Sequence, residues 1–366
     1  FPAIIAVVCL SGAMATELPP LTVPGTIAVQ FKNSDMEQED LDLMLEMGAG
    51  GFRKGIYWKD VEKEPGVYSF GTLDNYLNKF FDNGLYMLAC LTGPVPGFYD
   101  DSPCNLYTKP EIQDASARFA AACAEHWKDK PVIFEIRNEP NFVTHDENGV
   151  DHGFHSEWCA HMYMQQVIKC SKEMKAVAPD CFVGAGSMCH MGYKLWNPPA
   201  PSPFEWFEFC CDDGFVDVCD GVTVHPYGCG YQECCIDVDL CGPGSGYETL
   251  RDSILYVYGA PGDYPVLNSE MGYKRPMGSQ MERLGMPADD PASVDTGHAI
   301  MCVRMYLADI LANVRFSVYY EWSESEWGIL HDHVSKEKTL SFYSIKNLSS
   351  TLKGHTLIER MDVGDI

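Results

Sequence analysis

Two stretches of the chain set a glutamate where a short apolar run gives way to a turn. One reads Phe134-Glu135-Ile136-Arg137-Asn138-Glu139-Pro140-Asn141 and the other Val266-Leu267-Asn268-Ser269-Glu270-Met271-Gly272. Burying one carboxylate beside another is costly unless the groups are partnered or protonated, so two of them at one cleft call for a reason beyond packing. Displacement at the acetal carbon of a glycoside supplies one. A retaining mechanism uses one carboxylate as nucleophile and another as proton donor, held roughly 5 to 5.5 Å apart across the sugar. Charge on the nucleophile raises the pKa of its neighbour and keeps it protonated until the nucleophile is esterified. Glu139 and Glu270 are the candidate pair.

Both must be positioned by regular elements. From residue 26 onward, short β-branched or apolar runs alternate with longer helical patterns, and no linker or low-complexity segment interrupts them. The strand candidates are 26–31, 51–57, 85–91, 132–137, 181–186, 220–225, 264–269 and 315–321. Their near-continuous apolar character suits strands covered on both faces. Between them, Ser34 can cap a helix closed by Gly48, and Leu73, Tyr76, Leu77 and Phe80 recur at helical spacing before Gly84. Ile112 to Trp127 and Tyr163 to Met174 carry similar stripes, and further helices are expected at 204–211, 247–258, 292–313 and 339–352. Eight β-then-α units close a parallel barrel, so the expected fold is α/β, a single (β/α)8 TIM barrel over 26–366. An open doubly wound sheet would want a glycine-rich phosphate turn, but Gly184-Ala185-Gly186 continues as Ser187-Met188-Cys189. No G-x-S-x-G elbow or P-loop occurs either. In such a barrel, chemistry sits where strands end, and the two glutamates close the fourth and seventh strand candidates.

Asn138-Glu139-Pro140 resembles the Asn-Glu-Pro of clan A of the glycoside hydrolases, retaining barrel enzymes, and FEIRNEPN is similar to family 39 and to family 5-like members. The resemblance implies that Glu139 is the acid/base, that Asn138 hydrogen-bonds a sugar 2-hydroxyl, and that Glu270 is the nucleophile. Arg53 matches the clan's strand-two arginine, which would hold the nucleophile ionised through charge-assisted hydrogen bonds. His225-Pro226-Tyr227 looks like the clan's His-x-Tyr. Tyr227 would donate to the nucleophile, and His225 would serve a sugar hydroxyl or the same network. Trp322 resembles the platform on which an apolar sugar face stacks, with Trp327 as its competitor. The implied partner is an oligo- or polysaccharide with β-linkages, and no cofactor or metal is called for. Arg137 departs from the family pattern, which commonly has tryptophan there, and the cysteine-rich loop at about 209–242 matches no family insertion. The alternatives are a catalytically silent carbohydrate-binding barrel and a transglycosylase, which shares the covalent intermediate.

The net charge of −26 and a pI near 4.6 argue against nucleic acid or an anionic membrane as partner. A hydrophobic share of 46% excludes wholesale disorder. Pro2 to Ala15 is uncharged and apolar and ends in Ala13-Met14-Ala15, so residues 1–15 read as a secretory leader remnant, followed by a tether over 16–25. The 16 cysteines fit an oxidising compartment, and seven of them lie from Cys210 to Cys241, where structural disulfides are expected. Paired C-x2-C zinc spacing is absent, and His331-Asp332-His333 reads as a solvated loop.

Overall fold

The computed structural model describes residues 17–19, 23, 25–32, 36–99, 108–146, 148–189, 201–227, 247, 249–324, 326–355 and 357. In chain order the first half holds β1 (Ile27–Phe31), α1 (Gln38–Met47), β2 (Gly51–Tyr57), α2 (Trp58–Val61), the hairpin β3 (Glu62–Glu64) and β4 (Val67–Tyr68), α3 (Gly71–Asp82), β5 (Tyr86–Thr92), α4 (Pro110–His126) and β6 (Val132–Ile136). There follow a 3-10 turn (Pro140–Phe142), α5 (Glu157–Val177), β7 (Phe182–Cys189), α6 (Pro203–Asp212), α7 (Phe215–Val218) and β8 (Gly221–His225). A π-helical turn (Thr249–Leu255), β9 (Val266–Met271), α8 (Gly278–Arg283), α9 (Pro291–Leu311), β10 (Ser317–Tyr319) and α10 (Leu340–Leu352) complete the series.

Eight parallel strands close in the order β1-β2-β5-β6-β7-β8-β9-β10, with β10 returning to β1, so the chain is a (β/α)8 barrel. The strand expected at 51–57 is found to the residue, and the others shift by a few positions at their ends. The largest extension is in β7, which runs through Ser187 to Cys189 because a bulge between Gly186 and Met188 carries it past the glycine. Gly186 and Ser187 have φ of 106° and 45°, and a Cβ on Gly186 would lie 2.8 Å from the Thr223 carbonyl oxygen, so only glycine fits there. At α1, closed by Gly48, the Glu37 amide donates to Asp40 Oδ2 at 2.9 Å; Ser34, the expected cap, lies outside the described residues.

The barrel interior has two layers. Ala28, Leu88, Ile133, Leu267, Phe316 and Val318 form a buried apolar cluster apart from the main core. Side chains two positions on face the same way, because a strand alternates with period two. Those positions are Gln30, Cys90, Glu135 and Ser269. An apolar plug therefore supports a polar layer nearer the strand C-termini, while the outer strand faces pack against the helices.

The cysteine expectation is corrected where it can be seen. Cys210, Cys211 and Cys219 are buried thiols outside any disulfide, as are Cys90, Cys123, Cys159, Cys170, Cys181 and Cys302. Their sulfurs serve as small core groups on helix and strand faces rather than as staples. Residues 228–242 of the cysteine-rich loop and the leader at 1–15 lie outside the described residues. No described helix is long and apolar enough to cross a membrane. His331 and His333 stand on an exposed turn organised by Asp332, which accepts from the amides of Val334 and Ser335.

Tyr163 of α5 joins the active end of two strands. Its hydroxyl donates to the Ile136 carbonyl at 2.8 Å and accepts from the Gly186 amide at 2.9 Å, all within buried surroundings. Tyr163→Phe leaves both backbone groups without that partner, and urea denaturation should show a loss of about 1–3 kcal/mol. An unchanged midpoint would show that the hydroxyl does not tie β6 to β7.

Candidate active site

The segment after β6 turns sharply. Arg137 and Glu139 have φ of 72° and 46°, a left-handed backbone that holds the Glu139 carboxyl at the barrel mouth. Asn141, fully buried, clamps this segment to the end of β7. Its Oδ1 accepts from the Cys189 amide at 3.2 Å, and its Nδ2 donates to the Cys189 carbonyl at 2.9 Å and faces His155 Nε2 at 2.9 Å.

Across the mouth, Glu270 projects from β9 with both oxygens engaged. Arg53 Nη1 donates to Oε2 at 2.7 Å and the Tyr227 hydroxyl donates to Oε1 at 2.9 Å. Arg53 also bonds Glu135 Oε2 through Nε and Nη2 at 2.9 and 2.6 Å, Asn138 Oδ1 at 2.7 Å, and Gln30 Oε1 at 2.9 Å. One oxygen of Glu139, one of Glu270 and a ring nitrogen of His225 all lie within 4.8 Å of one another. His225 Nδ1 is 2.9 Å from Glu139 Oε1, and its Nε2 is 2.9 Å from Ser187 Oγ. This trio could be read as a cation site, but Arg53 and Tyr227 already occupy both Glu270 oxygens and Arg53 brings positive charge beside them. The donor set suits an organic electrophile better than a metal.

Burial disfavours charge on Arg53, yet Glu135 foremost, and Glu270 with it, holds the guanidinium above its usual pKa. Burial likewise opposes charge on Glu135, and Arg53 outweighs it, leaving that carboxyl below the ordinary range. Burial and then the Glu270 charge push Tyr227 well up, so its hydroxyl keeps the proton it donates. Glu139 differs from expectation. Burial raises it, but the hydrogen bond and charge of His225 outweigh burial, and the carboxyl lies below the usual range instead of above it. At β10's end, burial pushes Glu321 up to about 7.

The structure thus brings together Arg53, Asn138, Glu139, His225, Tyr227 and Glu270. His225 is fully buried and serves the network around Glu139 rather than an open sugar position. Trp322 is corrected: it is fully buried, its Nε1 donates to Asp40 Oδ1 at 3.0 Å, and it packs on Phe31, so its ring has no face to offer a sugar. Trp327, partly buried, instead stands edge-on to Tyr227 at 6.2 Å and to Tyr320 at 5.4 Å. Glu135, Gln30, Ser187 and Asn141 were not singled out from the sequence. Glu135 carried a signal, as a lone charge inside the apolar run VIFEI on the inward parity of Ile133.

No protein-family model and no curated protein matches the chain. Among solved structures it is similar to a family 39 glycoside hydrolase from the gut symbiont Bacteroides cellulosilyticus WH2, with a TM-score of 0.67 and 18% identity over 96% of this chain and 68% of that one. It is also similar to the exo-β-1,4-mannosidase Op5Man5 from Opitutaceae bacterium strain TAV5, at TM-score 0.54 and 17% identity over 89% of this chain and 59% of that one. A monomeric β-xylosidase from Caulobacter crescentus CB15 aligns at TM-score 0.56 and 15% identity, over 88% and 67% of the two chains. Likeness at these identities establishes the shared barrel.

Glu135→Gln keeps the side-chain shape but removes one of the two charges opposite buried Arg53. Breaking a buried pair in this way should cost about 3–5 kcal/mol at neutral pH, read by denaturant unfolding. Because the folded pKa of Glu135 is lowered, its stabilisation is present above the unfolded carboxylate pKa and lost as pH falls through the folded value. The gap between the two proteins should narrow in acid, and a pH-independent gap would contradict this account.

Proposed function

We propose that the protein is a retaining glycoside hydrolase that cleaves β-linked oligo- or polysaccharide by double displacement. The observation that carries this reading is the approach of Glu139 and Glu270 oxygens to within 4.8 Å across the mouth, close to the roughly 5 to 5.5 Å of the two-carboxylate mechanism. The two environments also differ in the required sense. Glu270 receives a guanidinium and a phenol, two donors that fix its orientation as nucleophile. On Glu139, His225 engages Oε1 and the Cys189 thiol also meets the carboxyl, while the side chain is a quarter exposed toward the mouth.

Glu139 must carry a proton when the glycosidic bond breaks. A bound sugar removes solvent from its exposed portion, and the Glu270 carboxylate lies opposite; both favour the protonated form against the His225 donor, which favours the ionised one. Once the glycosyl ester has formed, Glu270 no longer carries charge, and the His225 donor favours the carboxylate that accepts a proton from water. The names of the structurally similar proteins, a mannosidase and a xylosidase among them, support a β-glycan substrate. Trp327, beside Tyr227, takes the place of Trp322 as the candidate sugar platform. Export through the apolar segment Pro2 to Ala15 belongs to the same proposal, and N-terminal sequencing of protein recovered from the medium should find that segment removed.

Glu270→Ala should fall below about one ten-thousandth of wild-type turnover. Added azide should restore reaction as a glycosyl azide of inverted configuration, seen by NMR; wild-type turnover in this variant would remove Glu270 from the mechanism. Glu139→Ala should lose about 10²–10⁴-fold in kcat/KM on glycosides with poor leaving groups and far less on activated aryl glycosides. Equal losses on both would overturn its assignment as the acid.

A further inference from the structure

Behind Glu139 lies a chain of buried polar groups that the two-carboxylate scheme does not use. Glu139 Oε1 contacts His225 Nδ1 at 2.9 Å, and His225 Nε2 contacts Ser187 Oγ at 2.9 Å. Both His225 and Ser187 are fully buried. Ser187 occupies the β7 bulge, with a left-handed backbone at φ 45°, and its amide donates to Thr223 Oγ1 at 2.9 Å. Thr223 in turn donates to the Ala185 carbonyl at 3.1 Å, so β8 holds the bulge in place. Left-handed backbone at a serine costs conformational energy, and here it turns a hydroxyl toward an imidazole nitrogen.

We propose that Ser187 is a positioning residue for the acid/base step, fixing the tautomer of His225 and thereby the oxygen on which Glu139 carries its proton. The inference rests on Glu139 being the acid/base. A neutral imidazole has one donor and one acceptor nitrogen; a hydroxyl can play either part, but among the described residues His225 Nε2 is the hydrogen-bond partner of Ser187 Oγ, so the serine proton is directed there. With Ser187 Oγ–H donating to Nε2, the ring proton sits on Nδ1 and is donated to Glu139 Oε1. Oε1 is then occupied as an acceptor, and the proton that Glu139 delivers sits on Oε2. In the opposite tautomer Nδ1 is a bare acceptor, which draws the Glu139 proton onto Oε1, away from a leaving group. No net proton is consumed by the serine or the histidine. Glu139 gives its Oε2 proton to the leaving oxygen and regains one from the water that opens the glycosyl ester.

The other charged or titratable groups facing this pair are Glu135 and Arg53 within the barrel, Glu270 and Tyr227 across the mouth, and the Cys189 thiol at the Glu139 carboxyl. Among the described residues, His225 bonds Glu139 through Nδ1 and Ser187 through Nε2. The lowered pKa direction of Glu139, in which His225 is the main opposing cause to burial, agrees with a ring that donates to it.

Ser187→Gly tests this without adding backbone strain, since glycine accepts the left-handed conformation, and Ser187→Ala serves as the second variant. On a glycoside with a poor leaving group, kcat/KM should drop about tenfold in Ser187→Gly, a loss several times larger than on an activated aryl glycoside. Weaker donation from Nδ1 raises the Glu139 pKa, so the basic limb of the kcat/KM profile should move up by about half a unit to one unit. Equal losses on the two substrates, or a basic limb that stays in place in both variants, would overturn the proposal. Running Glu139→Ala in the same assay separates the two levels. If it shows leaving-group dependence and the serine variants do not, only the role of Ser187 fails; if it shows none, the acid/base assignment itself fails.

Discussion

A single buried guanidinium organises the mouth of this barrel. Arg53 touches side chains from β1, β6, the segment after β6, and β9, through Gln30, Glu135, Asn138 and Glu270. Its planar fork allows several directed bonds at once, which an ammonium at the same place could not make with fixed geometry. Burying one cation beside two carboxylates is tolerable only because all three are held together. Glu135 is the deeper and drier partner, so it supplies a permanent counter-charge. Glu270 shares what is left, and it is the carboxylate placed where a substrate could reach it. The charge that orients the candidate nucleophile is therefore set by a residue that does not face the substrate.

The second carboxylate is governed differently. Glu139 stands on strained backbone outside the strand, held by Asn141 to the end of β7 and by a hydrogen bond to His225 on β8. Its protonation is then a contest between desolvation, which grows when the mouth is filled, and donation from the imidazole, which persists in both states. In the proposed mechanism this carboxyl acts once as acid and once as base, and such a balance serves both because neither form is strongly fixed. The contrast with Glu270, held from two sides by donors, is what would separate the two proposed roles.

The pattern of strands was readable because the barrel strands are near-continuously apolar runs buried on both faces, and 51–57 was found to the residue. Glu139 and Glu270 stood out because each closes an apolar run, whereas Arg53, inside the second strand, and Tyr227 were reached through the resemblance to clan A. What the sequence concealed were groups whose meaning depends on the cross-strand register. Gln30 and Glu135 acquire their roles only when β1 and β6 are both wrapped around β2, two strands distant along the wall for Glu135. Ser187 looked like the residue after a strand, since no local pattern announces a bulge that carries the strand onward. The cysteines misled for a related reason. Their density suggested staples, whereas Cys210 and Cys211 are simply the buried side of α6.

Trp322 shows how a correct position can hold a different function. It follows the last strand, as expected, but its indole is drawn below the mouth by Asp40 of α1. Asp40 is itself buried and also accepts from Lys336 Nζ at 3.0 Å, while Lys336 reaches Glu37 at 2.7 Å. The tryptophan thus joins a polar network that ties the closing strand to the first helix and to the turn before α10. Freeing the ring for a sugar would leave a buried carboxylate one donor short, which costs more than a stacking contact returns. An aromatic surface at the mouth is better supplied by Trp327, whose ring packs edge-on against the tyrosine that holds Glu270. In this barrel the residues just after the eighth strand pack inward through Trp322, and Trp327 farther on stands beside the tyrosine that holds Glu270.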